Sequence, residues 1–167
     1  MKMPLTVQQI VVSKSDKELF GLLSAELEQR LGQQIDCDAL VKAIRRLPDG
    51  LRAMAATHRL DVSMAINDLG WHFHNYPHRE FCTETTRGLR ELEAIEVLEI
   101  FEGARNLIEP HWEKLDSFEN WYQSSGVEAA MLPLNRQLWK ICSESPEFGI
   151  MQFWLGYTRN HPERVTG

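Results

Sequence analysis

The sequence predicts an all-α fold, and three observations support that prediction. Apolar residues recur at spacings of three and four over most of the chain, which is the period of one helix face. Residue types that start and stop helices bracket several of these stretches. Strand-like apolar runs are confined to the first few residues. We therefore expect a compact single domain of several helices, with a short strand or arm at its N-terminus.

The composition is that of an ordinary globular domain. The 167 residues are 43% hydrophobic and 25% charged. A net charge of −6 and a pI near 5.5 argue against direct nucleic-acid binding, because phosphates are bound by clustered Lys and Arg. The chain has no apolar run of about 18 residues, so no membrane span is expected. The 3 cysteines form no CxxC pair and no signal peptide is evident, so we expect a cytoplasmic protein with reduced thiols.

Two parts of unequal size are expected. Residues 1–14 are predicted to be an N-terminal arm, within which 5–12 (LTVQQIVV) forms a short strand or an ordered segment packed on the body. Residues 15–167 are predicted to be one helical domain, because no internal repeat, low-complexity tract or long linker divides them.

The first two helices are bounded by recognisable signals. Ser15 opens the first helix at the spacing of a capping box, and Gly32 follows its last turn as a stop. The second helix is expected to begin at Asp36 or Asp38 and to end at the PDG sequence of residues 48–50.

The middle of the chain carries the strongest helical pattern. Residues 51–71 indicate one or two helices with a break at Gly70. Residues 83–108 have apolar side chains every three or four positions, with a break near 93–94 and an end at Pro110. Residues 117–126 are predicted to be a connector or short helix. Two further helices are expected at 128–142 and 146–159.

A metal site is considered in residues 70–82 (GWHFHNYPHREFC), which hold three histidines and a cysteine. The candidate ligands are His72, His74, His78 and Cys82. On a helix, the side chains of His72 and His74 diverge by about 200°. His78 and Cys82 share a helix face if a helix starts at Pro77. No HExxH pattern, phosphate loop, dinucleotide-binding glycine pattern or nucleophile elbow is present. We therefore expect histidines that cap helix ends or bond buried carbonyls, a non-enzymatic protein, and no metal or cofactor.

A row of glutamates lies in the strongest helical pattern. Residues 91–102 contain Glu at 91, 93, 96, 99 and 102 and no basic residue. On a helix, Glu96, Glu99 and Glu102 lie side by side opposite the apolar stripe, with Glu109 below them. Their axial spacing of about 4.5 Å is comparable with the roughly 3.4 Å rise per phosphate of a DNA strand. Two interpretations stay open, a solvated helix face and a row that imitates a phosphate backbone.

Two stretches, 60–78 and 85–112, together resemble an all-helical bacterial domain family of largely unknown function. Its named member is a DNA-mimic protein that binds a transcriptional regulator in place of DNA. The matching positions are Asn67, Gly70, Trp71, Phe73 and Asn75, and residues 151–165 (MQFWLGYTRNHPERV) resemble the closing helix of the family. The resemblance covers about residues 55–160. It departs from the family pattern in having Asp-Leu-Gly before Trp71 instead of Asn-Gly-Gly, and in having no glycine in the turn at 93–94.

The resemblance implies a helical fold, allows a homodimer, and implies a role in binding proteins rather than in catalysis. Together with the acidic pI, it leads to our hypothesis of a non-enzymatic regulator that binds a DNA-binding protein. The expected contact residues are Glu96, Glu99, Glu102 and Glu109. Two alternatives are an immunity-type protein that neutralises a toxin and a metal-dependent enzyme centred on His72, His74 and His78.

Overall fold

The computed structural model describes residues 4–33 and 36–167, and every regular element in these two ranges is a helix. The prediction of an all-α fold is confirmed. The α-helices are α1 (Val7–Val12), α2 (Asp16–Leu31), α3 (Cys37–Ile44), α4 (Asp49–Ile66), α5 (Leu69–Asn75), α6 (Arg79–Glu91), α7 (Ile95–Ile108), α8 (Phe118–Trp121), α9 (Val127–Glu144), α10 (Gln152–Asn160) and α11 (Glu163–Thr166). A 3-10 helix, Glu109–Ser117, follows α7 directly. A second one, Gly149–Met151, directly precedes α10.

The N-terminal segment is helical, so the strand alternative for residues 5–12 is wrong. Thr6 and Gln9 form a capping box, in which the Thr6 hydroxyl accepts from the Gln9 N–H and the Gln9 amide oxygen accepts from the Thr6 N–H. The buried Leu5 donates its backbone N–H to Glu26 of α2 at 2.9 Å. Residues 1–3 lie outside the described part of the chain, and the division into an arm (1–14) and a domain (15–167) stays a prediction.

Local capping signals set several helix boundaries. Ser15 caps α2, Asp36 caps α3, and Gly32 ends α2 with a φ of 60° that favours glycine. The PDG sequence, expected to end the second helix, instead begins α4. The preceding helix has already stopped at Ile44, and Pro48 occupies the N-cap of α4. A proline suits a helix start because its φ is preset and it has no N–H to satisfy.

The break expected at Gly70 occurs earlier, at Asn67 and Asp68, and Gly70 lies inside α5. The Asp68 carboxylate accepts from the N–H of Trp71, the third residue of α5, at 2.9 Å, which explains why a new helix starts there. Helix α6 begins after Pro77, with His78 as its N-cap. The closing helix begins at Gln152, later than expected, because a 3-10 turn precedes it.

Helix α4 is the centre of the molecule and contacts α2, α3, α5, α6, α10 and α11. More than half of its residues are buried, including Leu51 and Leu60. The indole N–H of the buried Trp154 donates to the Thr57 hydroxyl at 3.0 Å and ties α10 to α4. Helix α7 packs on α5, α6 and α9 at one side of this core, which leaves one face of α7 open to solvent.

Candidate functional site

Helix α7 begins at a Schellman turn, which sets the direction of its glutamate row. Glu93 has a left-handed backbone, with φ at 58°. Its N–H bonds the Arg90 carbonyl at 3.1 Å, and the Ala94 N–H reaches back to the Leu89 carbonyl at 2.9 Å. This pair of bonds is the usual end of a helix whose C′ residue is glycine. The expected break near 93–94 is therefore confirmed, and a glutamate takes the glycine conformation.

The inner side of α7 supplies core packing, and its outer side carries the acidic residues. The buried residues are Val97, Leu98, Ile100, Phe101, Ala104 and Ile108. Gly103 packs beneath Leu134 of α9, which closes one flank of the helix. Ile95, Glu99, Glu102 and Asn106 follow at the spacing of one helix face and stay at least partly exposed. We call this surface, together with Glu96, the α7 face.

The four predicted contact glutamates differ in their surroundings. Glu96 and Glu99 are exposed, and no Lys, Arg or His of residues 4–33 and 36–167 forms an ion pair with either. Glu102 lies 3.7 Å from the Arg90 guanidinium, and its side chain is 47% exposed. Glu109 lies in the 3-10 helix after α7, and its carboxylate is paired with the Arg79 guanidinium at 3.1 Å. The carboxylates most available to a partner are thus those of Glu96 and Glu99.

An apolar side chain accompanies these carboxylates. Ile95 is 50% exposed and lies one turn before Glu99 on the α7 face. Sequence reasoning counted Ile95 in the apolar stripe of this helix and expected only the glutamates as contacts, although the i, i+4 spacing to Glu99 was available as a signal. An isoleucine beside two exposed carboxylates provides both an apolar contact and electrostatic attraction for a basic protein surface.

The three histidines of residues 70–82 are held apart in separate contacts. His72 is completely buried, with its Nδ1 3.0 Å from the Ser63 hydroxyl. The Nδ1 of His74 bonds the Leu115 carbonyl at 3.0 Å. His78 caps α6, accepting at Nδ1 from the Phe81 N–H at 3.1 Å. The prediction that these imidazoles cap helix ends or bond carbonyls therefore holds for His74 and His78.

No group of three or more His, Cys, Asp or Glu side chains within the described ranges could hold a metal ion. Cys82 is buried, and burial raises the pKa of its thiol to about 12, which disfavours the thiolate that a metal would bind. His72 is surrounded by aromatic rings instead, with Phe73 and Phe101 at ring distances of 5.6 and 5.8 Å. The candidate ligands do not converge, so the metal-site alternative has no geometric support.

No helix in the described chain is both long and apolar enough to cross a membrane.

The five residues singled out by the family resemblance divide into core and surface positions. Gly70 and Phe73 are buried, whereas Trp71 is partly exposed and Asn67 and Asn75 are exposed. The surface members line one cavity of about 280 Å³, together with neighbouring side chains that include Ile66. Ile66 is 80% exposed, although it lies on the helix that forms the centre of the core. Only the fold shows that these separated positions meet.

Comparison with known proteins identifies a family. A model of the DMP19-like protein family matches residues 45–160, so the match starts earlier than the expected residue 55 and ends where expected. No match was found among curated proteins or among solved structures. The family takes its name from DNA mimic protein 19 and is not a known enzyme family. Because its model covers more than half of the sequence, the chain belongs to the DMP19-like protein family.

Proposed function

We propose that this protein acts as a DNA mimic that binds a DNA-binding protein through the α7 face. The observation that carries the proposal is that Glu96 and Glu99 are exposed and form no ion pair within residues 4–33 and 36–167. A surface glutamate that already has an arginine partner offers less charge to an incoming cation. Free carboxylates keep their full attraction for Lys and Arg in a DNA-binding cleft.

The spacing of the row suits that cleft. Glu96, Glu99 and Glu102 rise by about 4.5 Å per step along a helix, so the three span about 9 Å. Consecutive phosphates on one strand rise by roughly 3.4 Å, so the row covers the length of about three phosphates. Ile95 adds an apolar contact that a nucleic acid backbone lacks, which favours binding of the protein partner over simple charge neutralisation.

Electrostatic attraction of this kind makes a specific prediction about salt. Exposed charges are screened over roughly 8 Å at physiological ionic strength, so the complex is expected to weaken as salt rises. Binding that is unaffected by salt would speak against a mechanism based on the α7 face. The net charge of −6 adds a weaker, non-specific attraction for basic proteins, which the experiment must separate from the row itself.

The test is retention of a DNA-binding protein by immobilised wild-type protein, followed by elution in a salt gradient and competition with duplex DNA. The double variant Glu96→Lys/Glu99→Lys is expected to lose the partner. The matched control is Glu144→Lys/Glu163→Lys, which makes the same change in net charge at two exposed glutamates on α9 and α11. Equal loss in both double variants, or binding that duplex DNA does not compete, contradicts the proposal.

A further inference from the structure

A second candidate site lies away from the α7 face, in a cavity between α2, α3, α4 and the C-terminal helices. Its volume is about 240 Å³, and its apolar lining includes Phe20, Leu27, Leu40, Ala55, Met151 and Trp154. An apolar cavity of roughly 150 Å³ is enough to bind benzene. This one therefore has room for a larger ring system or for a ring with a short polar substituent.

The cavity has an aromatic wall in a fixed position. Trp154 is only 1% exposed, and its indole N–H is held by the Thr57 hydroxyl at 3.0 Å. The ring of Phe20 stacks on it at 6.2 Å with an interplanar angle of 25°, and His58 lies 6.0 Å from it. Such a wall favours a flat ring, because aromatic groups gain from stacked and edge contacts beyond the area that they bury.

Two charged side chains line the cavity, and neither forms an ion pair within residues 4–33 and 36–167. Arg59 lines it from α4 and Glu28 lines it from α2. Across the described ranges no carboxylate lies within ion-pair distance of the Arg59 guanidinium. Its Cζ atom lies 6.0 Å from the centre of the Tyr76 ring. An arginine without an acidic partner is the side chain best suited to bind a carboxylate, since its planar fork matches the two oxygens.

His58 does not compete for such a carboxylate. Burial and the nearby Arg59 charge both lower the pKa of His58, so its imidazole is neutral at pH 7. The single cation lining this cavity among the described residues is therefore that of Arg59.

We propose that this cavity binds a small aromatic carboxylate, with its ring against Phe20 and Trp154 and its carboxylate on Arg59. Both a simple aromatic acid and an aromatic amino acid have this chemistry. Glu28 distinguishes them, because an amino acid also presents an ammonium group that Glu28 can pair with. The proposal rests on none of the α7 glutamates and is independent of the DNA-mimic proposal.

Isothermal titration calorimetry with three probes tests the ligand chemistry on the unmodified protein. Indole-3-acetate is expected to bind saturably with one molecule per chain. Its neutral analogue indole-3-acetamide is expected to bind about tenfold more weakly or worse, because the charge-assisted bond to Arg59 is lost. If L-tryptophan binds more tightly than indole-3-acetate, and Glu28→Gln removes that advantage, the ligand is of the amino acid class. If indole-3-acetate binds more tightly, the ligand is a simple aromatic acid. No saturable binding of either carboxylate, or equal binding of the acid and the amide, overturns the proposal.

Two arginine variants test the site itself. Arg59→Met keeps an unbranched apolar stem but removes the guanidinium, and it is expected to weaken indole-3-acetate binding by about tenfold or more. The control is Arg136→Met, which removes an exposed cation of α9 without touching the cavity, and its affinity is expected to equal that of the wild type. Equal weakening in both variants would show non-specific attraction to surface cations and would overturn the assignment. The probe comparison on the wild type decides the question even if Arg59→Met does not fold.

Discussion

The ring of Tyr122 lies directly against Gly70, so closely that a Cβ on residue 70 would overlap the tyrosine hydroxyl. Gly70 is inside α5, and Tyr122 follows α8 in the chain. Burial raises the pKa of Tyr122, and within the described chain its hydroxyl has no hydrogen-bond partner. A glycine in a helix costs stability, yet here it allows the aromatic segment after α7 to pack on α5.

Replacing Gly70 by alanine is therefore expected to destabilise the protein by about 1–3 kcal/mol, because the new methyl group overpacks a closed contact. Chemical denaturation measures the change. The control is Gly21→Ala in α2, where a Cβ would meet nothing within 4 Å. That change is expected to stabilise by up to about 1 kcal/mol through helix propensity. A Gly70→Ala protein as stable as the wild type would mean that Tyr122 moves aside freely.

The left-handed Glu93 is expected to cost stability that glycine would not. Glu93→Gly is predicted to stabilise the protein by about 0.5–1 kcal/mol, since a side chain at positive φ is strained by roughly 1–2 kcal/mol and glycine loses more chain entropy on folding. Glu93→Ala separates strain from charge, because it removes the carboxylate but keeps the Cβ. If alanine stabilised as much as glycine, removal of a negative charge beside the α7 glutamates would be the cause.

The buried His72 is expected to make the protein sensitive to acid. Burial lowers the pKa of His72 to about 4, against an ordinary value of about 6.5 in the unfolded chain. Between these values the unfolded state binds more protons than the native state, so stability falls as pH falls through this window. The full effect is about 3 kcal/mol. Unfolding free energies measured at pH 7 and pH 4.5 are expected to differ less in His72→Gln than in the wild type. An equal difference in both proteins would contradict the burial of a neutral imidazole.

The hydrogen bonds of His72 identify the tautomer that this prediction concerns. The Ser63 hydroxyl already donates to the Arg59 carbonyl at 2.9 Å, so the Nδ1–H of His72 must donate to the Ser63 oxygen. The Nε2 atom is then an acceptor, and within the described ranges it has no partner. Protonation of Nε2 would place a charge among the aromatic rings, which is why the neutral form is retained.

Glu84 is expected to be the most costly ion-pair residue to neutralise. It is 3% exposed and joins α6 to the C-cap of α3 through Arg45 and to α4 through Arg52, each at 2.8 Å. Burial raises the pKa of its carboxyl, but the two arginines outweigh that effect and the net pKa is lowered. Glu84→Gln is predicted to destabilise by about 3 kcal/mol, because it removes a buried charge shared by two guanidinium groups. Within the described chain Arg52 then has no carboxylate partner, whereas Arg45 keeps Glu80.

The exposed pair of Asp16 and Arg159, at 2.7 Å, provides the comparison for Glu84. Asp16→Asn is expected to cost less than about 1 kcal/mol, since water screens the pair and replaces its hydrogen bonds. Similar losses for both variants in urea denaturation would show that the Glu84 cluster behaves as a surface pair.

Where local chemistry decides the structure, the sequence was a reliable guide. Ser15 and Asp36 start helices because their side chains bond the free N–H groups of the next turn. Ser15 was predicted, and Asp36 was one of the two predicted starts of its helix. The PDG sequence was misinterpreted because its residue types suit a helix start as well as a turn. The strand alternative for the N-terminal segment was wrong for a related reason, since the capping box of Thr6 and Gln9 outweighs the strand preference of its valines.

The candidate site was predictable only in part. The period of α7 placed Glu96 and Glu99 on the solvent side, because apolar spacing determines which face is buried. The pairing of Glu109 with Arg79 was not predictable, since these residues come from different helices, 30 positions apart in the chain. The same holds for the cavity beside Trp154, whose walls come from four separated segments.

The amino-acid order was thus sufficient for the helical class, for several helix ends and for the acidic side of α7, because those depend on interactions within one or two helical turns. Only the packed chain decided which charges are neutralised, which histidines are buried and which side chains enclose a cavity. These outcomes depend on contacts between distant segments, and such contacts form only when burial of the shared core brings the helices together.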